Sequence, residues 1–246
     1  MPIDFPNCAL WLRAKQLTLA DAAAVSNWND LSGNGFDMVQ ATGANQPVFR
    51  INQTPSGHPA VDFDRDSFDY LRYAGQMTTA LAGDLFVVVR MADAGQDIEH
   101  IFLSSSDEAS NDFNMIRFRN RATPANNMAI STIDATTATT ITATTTDMAA
   151  ATWYIVNYRS DGTQYFMRCN NVAQAFTVGQ GDNDGDWFGD RAGRDNVVIA
   201  ARQDVTGLQE YGNGQIAEII LYDRFLSDDE NRRIQYYLAS EHGLTI

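Results

Sequence analysis

The sequence predicts an all-β protein: a two-sheet antiparallel sandwich of the jelly-roll kind, closed by one C-terminal amphipathic helix. Three observations carry this reading. From Cys8 onward, apolar and polar residues alternate over short runs, the period-two pattern of half-buried strands. Gly, Asp and Asn clusters separate these runs at short spacing, as in sandwiches and barrels. The period changes once, after Phe225, to that of a helix.

Residues 1–7, "MPIDFPN", form an N-terminal arm, and residues 8–246 are read as a single domain, since β sandwiches of 200–250 residues commonly fold as one unit. "CALWLRA" is the first strand. "LTLADAAAVSNW" is read as holding a short helical turn, because it is rich in Ala and Leu. "PVFRIN" is extended. "HPAVDFD" sets Pro59, Val61 and Phe63 against polar neighbours and makes a strand with one apolar face. "DLFVVVRMA" is a continuous β-branched run, expected to be a central strand buried on both faces. "HIFLSSS" and "FNMIRFRN" follow as strands. Residues 122–150 are rich in Thr and Ala. They read as thin strands and loops inside the domain because Thr favours strands; a linker is the alternative. "TWYIVNYRSDGTQYFMRCNN" is a hairpin, with Asp161 and Gly162 at positions that tolerate positive φ. "NVVIAARQ" and "GQIAEIILYDRF" are the final strands. The helix, residues 228–242, opens on a capping box of Ser227 and Glu230, stops at Gly243, and carries Ile234, Tyr237 and Leu238 as its apolar stripe.

Charge excludes several function classes. The net charge is −14, from 25 Asp, 6 Glu, 16 Arg and the single Lys15. Such a surface repels nucleic acid, whose binding depends on cations that neutralise phosphates, and it does not suit anionic membranes. It suits neutral glycans, calcium, or solubility alone. Cys8 and Cys169 are too few for a disulfide framework or a zinc cluster and are expected to be free thiols. No apolar run reaches the ~18 residues of a membrane span. The N-terminus lacks the charged start and apolar run of a secretory signal.

"NWNDLSGNG" has the look of a site. No Lys follows Gly35, however, and Phe36 leads into extended chain, so neither the phosphate loop nor the dinucleotide fingerprint fits. The stretch is read as a hard structural turn. Gly33 and Gly35 supply positive φ with Asn34 tolerating it, Trp28 anchors, and Asp30 accepts hydrogen bonds from the turn's amides.

In order, "WNDLSGNG", "NQPVFRIN", "GHPAVDFDRDSFDYL", "GDLFVVVR", "TWYIVNYRSDGTQYF" and "GQIAEIILYDRFLSDDENRRIQYYLASEHGL" resemble the concanavalin A-like lectin/glucanase superfamily, in its laminin-G-like jelly-roll branch. The resemblance runs from Cys8 to Leu244. It implies two stacked antiparallel sheets and says little about ligand, because the fold hosts lectins, adhesion modules, hydrolases and structural parts. A retaining glycosidase of this kind would carry Glu-x-Asp-x-x-Glu on one strand, with about 5 Å between the acid and the nucleophile. No such triplet occurs among Glu99, Glu108, Glu210, Glu218, Glu230 and Glu241; "QDIEH", with Asp97 and Glu99, comes nearest. His58, His100 and His242 are isolated and no nucleophile elbow is present. The chain is therefore expected to be non-enzymatic, with no catalytic residues.

The remaining candidate is "GQGDNDGDWFGDRAGRDN". Asp182, Asp184 and Asp186 are the candidate calcium ligands, since Ca²⁺ takes six to eight closely spaced oxygens. The spacing is not that of an EF-hand: counted from Asp182, Gly185 is fourth and Gly193 is twelfth. The alternative is a solvated acidic loop in which Asp190 and Asp195 pair with Arg191 or Arg194. Related jelly rolls often hold Ca²⁺ at the rim beside the glycan. Trp187, with Asp190 and Tyr211, is the candidate glycan site, because an indole stacks on the apolar face of a sugar; folding of Trp187 onto the core is the alternative. Three functions are weighed from these readings, the last and least expected being a polysaccharide-cleaving enzyme. The first is a non-enzymatic bacteriophage virion surface protein, a head decoration, head fibre or tail adhesin assembled with other virion proteins and binding cell-surface polysaccharide. The second is the carbohydrate-binding module of a secreted enzyme or adhesin.

Overall fold

The computed structural model describes residues 1–93, 99–109, 115–121, 127–134, 137–190 and 193–246. The strands are, in order, β1 (Cys8–Arg13), β2 (Asn27–Trp28), β3 (Met38–Val39), β4 (Val48–Arg50), β5 (Ala60–Phe63), β6 (Leu71–Ala74), β7 (Gly83–Met91), β8 (Glu99–Ser106), β9 (Met115–Arg121) and β10 (Asn127–Asp134). There follow β11 (Thr137–Ala143), β12 (Trp153–Ser160), β13 (Tyr165–Cys169), β14 (Val172–Ala173), β15 (Phe176–Gln180), β16 (Asn196–Ile199), β17 (Arg202–Asp204), β18 (Gly207–Gln209) and β19 (Gly214–Tyr222), then the helix α1 (Asp228–His242). One sheet has the order β14-β13-β12-β7-β19-β5-β4, with β1 also paired to β19; the other is β15-β11-β10-β9-β8-β16-β6-β3-β2. Both are antiparallel, and together with the single helix they make the expected jelly-roll sandwich.

The alternation explains the layers. Leu85, Val87 and Val89 of β7 point inward with Val156 and Tyr158 of β12, against Phe118, Ile130 and Ile141 of the second sheet. Phe86 and Val88 of the same strand point outward, join Trp11, Ile155 and Ile220, and lie under Ile234 and Leu238 of α1. β7 is thus buried on both faces, as its unbroken apolar run requires. The first sheet is covered twice: once by the other sheet and once by the helix.

Asp84 fastens the helix to that sheet. It is wholly buried and accepts from Arg159 Nε (2.8 Å), Asn157 Nδ2 (3.2 Å), Asn231 Nδ2 (2.8 Å) and the Leu226 amide (2.8 Å). A second clasp is Glu218, also without exposure. It accepts from Trp11 Nε1 (2.7 Å) and the Tyr237 hydroxyl (2.9 Å) and meets His242 Nε2 at 2.8 Å.

The helix begins as the sequence predicts, with Ser227 and Glu230 in a reciprocal capping box and Gly243 left-handed at φ 70°. Arg224 adds a two-pronged bond to Glu230, at 2.6 and 2.9 Å. This bond, then the Ser227 contacts, hold the Glu230 carboxyl down at about 2, below its usual 4.5, against the smaller opposing effect of burial. A depressed folded-state value stabilises above the unfolded value and is lost as pH falls through the folded one. The melting temperature should therefore fall between about pH 4.5 and pH 2, and more steeply in the native protein than in Glu230→Gln, when both are followed by circular dichroism. Equal slopes would show that the cap is not ion-linked.

Several local expectations are corrected. "LTLADAAAVSNW" has no helical turn from Leu17 to Trp28: Ala22 and Val25 donate to the carbonyls of Phe49 and Pro47 (2.8 Å each), and Ala24 bridges Val48. Pairing with a neighbouring segment overrides the helical preference of Ala. The 122–150 stretch supplies β10 and β11, where Ser131 and Thr140 face each other. In the hairpin only Gly162 takes positive φ; Asp161 instead accepts from the amides of Thr163 (2.8 Å) and Gln164 (2.9 Å) in a four-residue loop. The N-terminal arm lies on the domain, with Pro2 O and Pro6 O accepting from Tyr222 and Arg224. Cys8 and Cys169 are free, and burial pushes both thiols up to about 12. Among the described residues no helix is long and apolar enough to cross a membrane.

Candidate functional site

Phe63 at the end of β5 and Met91 at the end of β7 both pair with Gly214, where β19 begins. Three loops therefore meet at one end of the sandwich: 64–70 leading from β5 to β6, the segment leaving Met91, and 210–213 entering β19.

The first loop is built around its aspartates. Asp64 accepts from the Asp66 amide (2.9 Å) and the Ser67 hydroxyl (3.0 Å), and Asp69 accepts from the Asp64 amide (3.0 Å). Asn45 Nδ2 donates to the carbonyls of Ser67 (3.1 Å) and Phe68 (3.2 Å). Asp and Asn side chains bond nearby backbone in this way when the chain turns. The frame holds Phe68 at φ 56°, a left-handed conformation that costs a bulky residue about 1–3 kcal/mol. The ring is not buried in return: Phe68 is 55% exposed. It meets Tyr211 edge-on, with centroids 5.2 Å apart and planes at 72°. Glu210, just before Tyr211, is also left-handed at φ 53°, and its carboxylate lies between Arg117 and Arg202. These arginines lower its pKa although burial pulls the other way. Burial, then the neighbouring Tyr70, raise the Tyr211 phenol.

Beside the pair is a cleft of about 390 Å³, lined by Gln46, Arg50, Asp62, Asp64, Ser67, Asp69 and Asn213 with Val48 and Phe63 at its apolar wall. Two of these residues, Ser67 and Asp69, flank Phe68. Asp69 is 3% exposed; burial, with Asp64 and Asp62 adding, pushes its carboxyl up to about 6 against the opposing Asp64 amide. An exposed aromatic edge beside a cleft rich in carboxylates, amides and a hydroxyl is suited to a sugar, which offers apolar ring faces and hydroxyl donors together. A cleft of similar size is lined by Arg159, Phe166, Arg168 and Phe225, but there Arg159 is committed to Asp84 and stacks on Phe225 at 4.1 Å.

The structure separates the residues that the sequence groups as a glycan site. Trp187 is fully buried and packs on Phe118 and Phe188, with centroids at 5.1 and 5.6 Å. It fills the space left by Gly83 at the start of β7, where a Cβ would strike the indole. Tyr211 sits by Gly214 at the other end of that strand, roughly 26 Å away at the strand rise. Trp187 therefore stacks on the core and not on a ligand. Asp190 stays with it, exposed, accepting from the Trp187 amide at 2.7 Å. Asp182 and Asp184 are exposed and Asp186 is half-buried, with its carbonyl taken by the Tyr165 hydroxyl. Among the described residues no three His, Cys, Asp or Glu side chains converge as metal ligands. Asp195 accepts from the Glu108 amide at 3.1 Å, while Arg191 and Asp97 lie outside the described residues.

In the opening turn, Asp30 accepts from the amides of Trp11 (3.0 Å), Ser32 (2.9 Å) and Phe36 (3.1 Å), between a buried Trp28 and Gly33 and Gly35 at φ 94° and 79°. Asn34 does not share the positive φ; its side-chain Nδ2 donates to the carbonyls of Cys8 and Ala9. The sequence reading missed Phe68, Asp69 and Asn213. The one available signal was a Phe enclosed by aspartates in "DFDRDSFD".

No family model matches the chain, and no curated protein matches it. Solved structures do. The Ruminococcus gnavus IT-sialidase CBM40 bound to α2,3-sialyllactose is 15% identical, with TM-score 0.52 over 64% of this chain and 83% of that one. A leech intramolecular trans-sialidase complexed with 2,7-anhydro-Neu5Ac aligns over 92% of this chain and 27% of its own, at 11% identity and TM-score 0.55. A Trypanosoma rangeli sialidase in complex with sialic acid aligns over 96% and 33%, at 13% identity and TM-score 0.52. At these identities the likeness establishes a shared lectin-like jelly roll.

Proposed function

We propose that this chain is a non-catalytic carbohydrate-binding module that holds a glycan at the Phe68–Tyr211 rim. The observation that carries the reading is Phe68, an aromatic ring kept exposed on strained backbone beside a polar cleft. Strain of this kind persists where the surroundings over-determine it, and such positions cluster at ligand sites. The sialyllactose-bound Ruminococcus gnavus module supports the same reading, sharing the fold over 64% of this chain and 83% of its own. Two of the glutamates are engaged in the fold: Glu218 is sealed beneath the helix, and Glu210 is held by arginines. The virion reading draws no support from these neighbours, and the module reading takes its place.

The test separates binding from folding. Glycine relieves positive φ, so Phe68→Gly should melt at the native temperature or above it. On an immobilised glycan panel the same variant, and Tyr211→Ala, should lose at least tenfold in retention, the equivalent of about 1.4 kcal/mol. Undiminished retention in both variants would dismiss the rim as the site.

A further inference from the structure

We infer that the rim takes an uncharged sugar and turns away sugars bearing a carboxylate. The inference rests on the glycan-binding reading above and adds the charge class of the ligand.

The cleft is lined by three carboxylates, Asp62, Asp64 and Asp69, and one guanidinium, Arg50. Arg50 is already paired, its Nε 3.3 Å from Asp62. The next cation, Arg65, is 3.2 Å from Asp93. Asp93 also meets His100 Nε2 at 3.1 Å, and burial moves that imidazole down to about 4, against the pull of Asp93, so that it is neutral at pH 7. An incoming carboxylate would meet a net negative field with each cation at the rim engaged.

Hydrogen-bond polarity points the same way. Each side-chain donor group of the lining already spends one bond inside the protein: Ser67 Oγ donates to Asp64 (3.0 Å), Gln46 Nε2 to the Gln40 carbonyl (2.7 Å), Asn213 Nδ2 to Asp93 (3.0 Å) and Arg50 Nε to Asp62 (3.3 Å). What the cleft presents is acceptor-rich, namely carboxylate lone pairs and amide oxygens. Sugar hydroxyls donate to such groups, and bonds to an ionised acceptor are the stronger kind. An ionised sugar carboxylate is acceptor-only and would have to compete with Asp62 for Arg50, the one guanidinium of the lining. The neutral ring face retains its contact with Phe68 and Tyr211. The architecture shared with sialic-acid-binding domains is thus fitted here with the opposite charge preference.

The experiment uses the full chain and matched pairs. The probes are neutral hexose disaccharides, each paired with the same disaccharide oxidised at its terminal C6 to a uronate, together with lactose against 3′-sialyllactose. Binding is read by calorimetry at pH 7. At least one neutral sugar should bind, and its acidic counterpart at least tenfold more weakly. Raising salt from 0.1 to 1 M should narrow that gap, because exposed charges are screened. Asp62→Asn, with folding checked by its melting curve, should narrow it too by removing one charge and releasing Arg50. If a uronate or sialyllactose binds as tightly as its neutral partner, the charge inference is overturned while the module reading stands. If no sugar of either class shows binding that Phe68→Gly abolishes, both fall together.

Discussion

Asp84→Ala should lose about 3–5 kcal/mol of folding stability in urea or guanidinium titration, the range for breaking a buried ion pair from one side. The substitution removes the acceptor shared by Arg159, Asn157, Asn231 and the Leu226 amide, all packed between the first sheet and the helix. Arg159, 3% exposed, would keep the Leu226 carbonyl at 2.6 Å and Asp228 at 3.3 Å, but Asp228 is largely in solvent and a weak substitute. Burial raises the Asp84 carboxyl to about 6 in spite of Arg159. The ion is therefore held at some expense, and the hub's value lies in the donors it satisfies. It follows that Asp84→Ala/Arg159→Met should be less damaging than the sum of its single changes, because no buried cation is then stranded. A single-variant loss under 1 kcal/mol would mean that the helix is held by its apolar face and the Glu218 clasp without the Asp84 hub.

Trp187→Ala should lose a similar amount, about 3–5 kcal/mol, as large-to-small core substitutions of Trp do. Its indole is fully buried against Phe118 and Phe188, over the surface that Gly83 leaves open. Any folded fraction should bind glycan with native affinity, because the rim lies at the far end of β7. The opposite result, native stability with lost binding, would return the site to the acidic loop and refute the rim.

These two residues show where sequence reading succeeds and where it stops. The helix is written locally: Ser227, Glu230 and Gly243 act within a turn of their own amides, and the structure has each as expected. β7 is legible for the same reason, since "LFVVV" has no polar residue to give to solvent. The direction of Trp187 is decided by Gly83, far off in the chain, and a Gly-rich loop has no period from which to read an inward turn. The rim is harder still. Phe68 and Tyr211 lie in loops that meet because β5 and β7 both end on Gly214, and neither the contact nor the positive φ at Phe68 is written in residue type. Sequence alone groups Tyr211 with Trp187, since it does not say which end of the sandwich a loop occupies.

The position of β19 has a consequence for how the chain acquires its shape. Along one edge it pairs with β7; along the other it pairs first with β5 and then with β1. It is also the last of the described strands in chain order. Until it is in place, the first sheet exists as three unpaired pieces: β1 alone, β4 with β5, and β7 with β12, β13 and β14. Closing it pairs Cys8–Arg13 with Glu218–Tyr222, about 200 residues further on, the kind of long-range pairing that slows folding. The first sheet is therefore completed late, and the edges awaiting β19 are the stretch of its history in which the domain is most open to aggregation.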